Sequence, residues 1–137
     1  MTAHIVYNGD LRTIATHHAS QSSIETDAPT DNQGKGERFS PTDLVATALG
    51  SCMLTVMGIK ASELGINMQG ATASVEKIMG VNPRRIGEIK VCIHFPSHMM
   101  VNEKQRIVLE RTALHCPVHK SLHPDIKYDI VFSWQGA

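Results

Sequence analysis

Short runs of alternating apolar and polar residues open the chain. Residues 4–8 read as a strand closed by a Gly9-Asp10 turn, with further strands at 11–16 and 22–26. Residues 28–39 carry Pro29, Asp31, Asn32, Gly34 and Gly36, the composition of a loop. Its length is that of loops with functional or mobile roles. The pattern then changes. Ser40 suits a helix N-cap, Pro41 the first helical position, and Asp43 a first turn that favours negative charge. The helix should reach about Leu64 and stop at Gly65. Ala, Leu, Met and Val occupy nearly every side of it, which predicts a helix surrounded by protein. Gly50 and Gly58 cost such a helix ~1 kcal/mol each relative to Ala. Close approach of another backbone, such as a partner helix, explains them best.

Residues 66–79 and 85–95 read as two strands joined by Gly80-Val81-Asn82-Pro83. In the second, Ile89, Val91, Ile93 and Phe95 alternate with Glu88, Lys90, Cys92 and His94, the pattern of a half-buried strand. Asn102 should cap a second helix reaching about His115, with Glu103 in its first turn. Ile126, Tyr128, Ile130, Phe132 and Trp134 then line one face of a last strand. There is no internal repeat. Grouped strands and helices in this order predict an α+β fold with antiparallel sheets.

Composition narrows the function classes. A chain of 137 residues suits one domain, 1–137. Its 13 basic and 13 acidic residues balance, so nothing pulls it toward nucleic acid or anionic lipid. The opening residues lack a basic segment followed by an apolar run, so no signal peptide is expected. The most apolar window, residues 44–59, falls short of the roughly 20 residues that span a bilayer, and Asp43 and Lys60 close it. A soluble cytoplasmic protein without a membrane or nucleic-acid partner is expected. Three cysteines are too few, and odd in number, for a disulfide scaffold.

Two of those cysteines occupy unequal settings. Cys116 precedes Pro117, so a short helix over residues 118–122 would place its sulfur near free backbone N–H groups. Those groups favour thiolate, and His115, His119 and Lys120 are near in sequence. The plain alternative is a buried cysteine at a helix junction. Cys52 lies mid-helix, where burial alone would leave it inert. A reactive Cys52 needs a cation from a distant segment, and Arg12 and Arg38 are the candidates. Otherwise it is a small core residue. Cys92, on the polar side of its strand, reads as structural. A zinc set could be drawn from His115, Cys116, His119 and His123. Pro117 and Pro124 interrupt the helix such a set would need, and unliganded histidines are the expectation.

The segment Ser40-Pro41-Thr42-Asp43-Leu44-Val45-Ala46-Thr47-Ala48-Leu49-Gly50-Ser51-Cys52 resembles the central helix of the OsmC/Ohr family. These are osmotically inducible and organic hydroperoxide resistance proteins. Cys116-Pro117-Val118 is similar to the family's second cysteine motif, and Tyr7-Asn8-Gly9-Asp10-Leu11-Arg12 to its opening strands. The resemblance implies an intertwined α+β homodimer with buried central helices. It implies a thiol peroxidase in which Cys52 attacks an organic hydroperoxide and Cys116 resolves the sulfenic acid as a disulfide. Arg12 would activate Cys52, a dithiol reductant would restore the pair, and no cofactor or metal is implied. This reverses the ranking from local chemistry, which favoured Cys116 as the more activated sulfur. The best-studied members carry Glu directly after the proline, where it pairs with the activating arginine. Here Thr42 holds that place and Asp43 follows, about 100° further around the helix. A redox sensor or ligand-binding protein with little turnover is the alternative, and a small zinc protein a third.

Overall fold

The computed structural model describes residues 1–134, which divide into two compact units between Val45 and Ala46, with most of the long helix α1 in the second.

In the first unit, β1 (Ala3–Tyr7), β2 (Arg12–His17) and β3 (Ser23–Asp27) form an antiparallel sheet in sequence order. The β1–β2 turn places Gly9, Asp10 and Leu11 at positive φ. The β2–β3 register sets Arg12 opposite Asp27. A single 3-10 turn, Thr30–Asn32, interrupts the following loop.

α1 spans Pro41–Glu63. Its start is a reciprocal cap. The Asp43 backbone N–H donates to Ser40 Oγ at 3.0 Å, and the Ser40 N–H donates to the Asp43 carboxylate at 2.9 Å. Such caps contribute about 1 kcal/mol. Its end is a Schellman turn: Gly65 adopts φ +70, the Ile66 N–H reaches the Ala61 carbonyl, and the Gly65 N–H reaches that of Ser62.

The second unit contains β4 (Thr72–Gly80), β5 (Arg85–His94), α2 (Glu103–Ala113), α3 (Pro117–Ser121) and β6 (Lys127–Ser133). β5 is the central strand, antiparallel to β4 and parallel to β6. The second sheet is therefore mixed, where antiparallel pairing was expected. The α2–α3 segment carries the chain back along the sheet, and a crossover of that length permits parallel pairing. β4 also starts later than the alternation suggested, because a turn at Asn67–Gly70 intervenes. There the Asn67 side chain accepts the Gln69 N–H, and Gly70 takes φ +95.

The core of this unit joins Leu49, Met53 and Met57 of α1, Ile89, Val91 and Ile93 of β5, and Leu109 and Ala113 of α2. The predicted row Ile126, Tyr128, Ile130, Phe132 and Trp134 packs against it. Asn102 caps α2 in a full capping box with Gln105. Met99 is buried, whereas Met100 is exposed.

The sequence overstates the burial of α1. Its buried residues are Ala46, Leu49, Gly50, Met53, Met57 and Ala61, while Ala48, Ser51, Thr55, Ile59 and Ser62 form an exposed face. At 23 residues, with a window of mean hydropathy 1.6, it meets the length and composition of a membrane span, which the window 44–59 did not. Its buried side belongs to a protein core, as in a core helix of a mixed fold.

Candidate thiol site

Cys52 occupies the fourth turn of α1, half-buried against the core of the second unit. Cys116 ends the segment after α2 and is fully buried. It also caps α3. Its backbone is extended, Pro117 takes the first helical position, and the His119 N–H points at its sulfur at 3.4 Å. Helix geometry alone would make this sulfur a thiolate, as expected from sequence. The structure corrects that expectation. Burial raises the Cys116 pKa above its ordinary value of 9.0, outweighing the His119 and Val118 N–H groups that lower it. Cys52 raises it further, as a hydrogen-bonding neighbour and through its charge. The fold thus brings the Cys52 and Cys116 side chains within interaction range although 64 positions separate them (116 − 52). Both thiols are free.

Two further groups meet this end of the site. The His119 ring lies against the Tyr128 ring, centroids 4.6 Å apart at 41°. Its Nδ1 is buried without a hydrogen-bond partner among the described residues. Burial, then Lys120 and His115, lower the His119 pKa below 6.5, which keeps the ring neutral at neutral pH. Tyr128 titrates above 10.0, first from burial and then from the nearby Cys116. The zinc set is not gathered: among the described residues no group of three or more His, Cys, Asp or Glu could hold a metal ion. His123 sits exposed beside Asp125. Cys92 lies on the outer face of β5, with its sulfur 3.3 Å from His94 Nε2. Beside Cys52 in sequence, Ser51 lines an open groove of about 310 Å³ with Thr47, Gly50, Leu54, Thr55, Ala73 and Val75.

In the first unit, Arg12 engages Asp27 through a two-pronged ion pair. Nε donates to one carboxylate oxygen at 2.7 Å and Nη2 to the other at 2.8 Å. Asp27 is 1 % exposed and also accepts the Glu37 N–H. The Arg12 hydrogen bond holds the Asp27 carboxyl below its usual 3.8. Glu25 and Glu37 stand 3.6 and 3.8 Å from Arg12. Arg38, the rival cation, is half-exposed and pairs with Glu25 at 3.5 Å. Asp27 was missed from sequence, where it marks only the end of a short strand. Its one signal was the hairpin register that would pair it with Arg12.

The structure is thus a mixed α+β scaffold in which two free thiols, Cys52 and Cys116, lie within interaction range. The OsmC-like protein family model matches residues 34–131. A protein from Psychrobacter arcticus, described as an osmotic stress induced and detoxification response protein, is 50 % identical. Its structure aligns over 96 % of this chain and 95 % of its own, with a TM-score of 0.91. An OsmC-like protein from Mycoplasma pneumoniae is 19 % identical over 96 % of this chain and 94 % of its own, with a TM-score of 0.78. An organic hydroperoxide resistance protein OsmC from Legionella pneumophila is 14 % identical, with 97 % of each chain covered and a TM-score of 0.75. These last two likenesses concern the fold. No curated protein sequence compared matches the chain. The chain belongs to the OsmC-like protein family.

Proposed function

We propose that this protein is a cytoplasmic thiol peroxidase that reduces organic hydroperoxides through Cys52 and Cys116. Cys52 is the peroxidatic sulfur, Cys116 the resolving sulfur and Arg12 the activating cation. The observation that carries the proposal is the convergence of the two thiols in one unit of the fold. Their inequality supports the assignment. A buried thiol with a raised pKa is a poor first attacker, which suits Cys116 to the second step. In the first step a Cys52 S–O bond forms as the peroxide O–O bond breaks, releasing alcohol and leaving a sulfenic acid. Cys116 then displaces water to form the disulfide, and a dithiol reductant reopens it. The protein acts as a homodimer, because the exposed face of α1 carries Ile59 at 60 % exposure beside small residues.

One observation favours a second reading. The Arg12 guanidinium is already engaged by Asp27, and an engaged arginine activates a thiol less. The pair would then oxidise once as a redox sensor or ligand-binding switch, with little turnover. Steady-state assays with an organic hydroperoxide and a dithiol reductant separate the two. Sustained turnover, abolished in Cys52→Ser, supports the peroxidase; stoichiometric oxidation without turnover supports the sensor. In Cys116→Ser the first oxidation should persist, with Cys52 trapped as sulfenic or higher acids by mass spectrometry. An unmodified Cys52 in that variant would count against both.

A further inference from the structure

We propose that His119 is the proton-transferring residue for closure of the Cys52–Cys116 disulfide, an inference that rests on the peroxidase reading above. The second half-reaction moves one proton. The Cys116 sulfur attacks the Cys52 sulfur; the S–S bond forms, the S–O bond breaks, and oxygen leaves as water. That water carries the proton Cys116 gives up. A base that takes the proton from the thiol and returns it to the departing hydroxide serves both ends of the step.

Cys116 needs such a base. It is fully buried, and its pKa is raised above 9.0 by that burial, so at neutral pH about 1 % or less is thiolate. The capping geometry that would otherwise ionise it is outweighed.

His119 is placed and poised to serve. It lies three residues past Cys116 in the same capping turn, with its backbone N–H directed at the reacting sulfur. Pro117 at the first helical position stiffens that turn. The ring is held against Tyr128, itself near enough to Cys116 to feel its charge. Nδ1 is buried and lacks a hydrogen-bond partner among the described residues, the condition of a group awaiting a proton donor or acceptor. The ring is also kept neutral by burial and by Lys120 and His115, and is therefore able to accept a proton. The groups that bear on it are His115 before α3, Lys120 within α3 and Tyr128 on β6, with the Cys116 sulfur facing its backbone N–H. If the ring served only to pack on Tyr128, phenylalanine would fill the place without orphaning a nitrogen.

The test is a single turnover of the fully reduced protein with one equivalent of tert-butyl hydroperoxide. Alcohol release and disulfide closure are followed separately by quenched alkylation and mass spectrometry between pH 5 and 8.5. In wild type, closure should slow as pH falls through the lowered ring pKa. In His119→Phe and His119→Gln, the ratio of closure rate to alcohol-release rate should fall about 100-fold. The acid-side inflection should vanish, with closure rising toward the thiol's own alkaline range. Cys52 sulfenic acid should accumulate and be trapped by a dione reagent. Alcohol release in the variants also reports that they are folded. Closure within twofold of wild type in both variants, with the inflection intact, overturns the role of His119 and leaves the peroxidase reading standing. Wild type that releases no alcohol removes the peroxidase reading and this inference with it.

Discussion

Arg12 and Asp27 face each other across the β2–β3 register and join through both prongs of the guanidinium, at 2.7 and 2.8 Å. A planar fork on a carboxylate fixes the arginine's orientation as well as its charge. In the resemblance drawn from sequence, the best-studied family members carry a glutamate directly after the proline at the helix start and pair it with the arginine. Here Thr42 stands there, while Asp43 accepts the Ser40 N–H. In this chain a carboxylate from a neighbouring strand holds the arginine.

That arrangement predicts the behaviour of Asp27→Asn. The Arg12 hydrogen bond depresses the folded-state pKa of Asp27, so its stabilisation is complete above about pH 4 and fades as pH falls through the depressed value. The variant should lose stability at neutral pH and lose this part of the acid dependence, seen as a flatter plot of Tm against pH between 2 and 5. Unchanged Tm-against-pH plots would show that the fork does not matter in solution.

Cys116 predicts an opposite sign at alkaline pH. Its folded pKa is raised, so the associated stability is complete below about pH 9 and declines as pH rises through the folded value. Alkylation of native Cys116 should therefore be slow at pH 8 and accelerate only in the alkaline range. Cys52→Ser removes a neighbour that raises the Cys116 pKa, so the onset of alkylation should move to lower pH. Rates followed by peptide mass spectrometry measure both effects, and identical onsets in the two proteins would refute the proximity.

Gly50 and Gly58 should respond in opposite directions to alanine. A Cβ at Gly50 would lie 2.8 Å from the stiff Val75 side chain, whereas nothing stands within 4 Å of one at Gly58. Gly50→Ala should destabilise by about 1–3 kcal/mol through crowding against β4, beyond what helix propensity returns. Gly58→Ala should stabilise by up to ~1 kcal/mol in a lone chain. Chemical denaturation measures both; a destabilising Gly58→Ala would indicate a second chain packed at that glycine.

The exposed face of α1 predicts assembly. Ala48, Ser51, Thr55, Ile59 and Ser62 recur at helical spacing on a helix whose opposite side is core. Ile59→Glu places a charge in that stripe, away from the buried residues of the chain. Sedimentation should shift from dimer toward monomer, with more than a 10-fold loss of dimer affinity. A variant that sediments like wild type would locate any interface elsewhere.

Local grammar in the chain specifies its elements. Ser40, Pro41 and Asp43 start α1, Gly65 ends it, and Asn102 starts α2, because caps and positive-φ turns depend on neighbouring residues alone. Alternation in residues 85–95 and 126–134 identifies β5 and β6 and the faces they bury. The cysteine motifs are equally local, which is why Cys52 and Cys116 could be picked out and matched to a family. The parallel pairing of β5 with β6 could not be read, since pairing direction depends on how the α2–α3 crossover returns the chain. Protonation could not be read either. A helix start argues for a Cys116 thiolate, and only the surrounding protein reveals that burial wins. The same holds for the Asp27 fork on Arg12 and the orphaned nitrogen of His119. Desolvation and charge pairing depend on atoms distant in the chain, so residue order determined the elements and tertiary structure decided their chemistry.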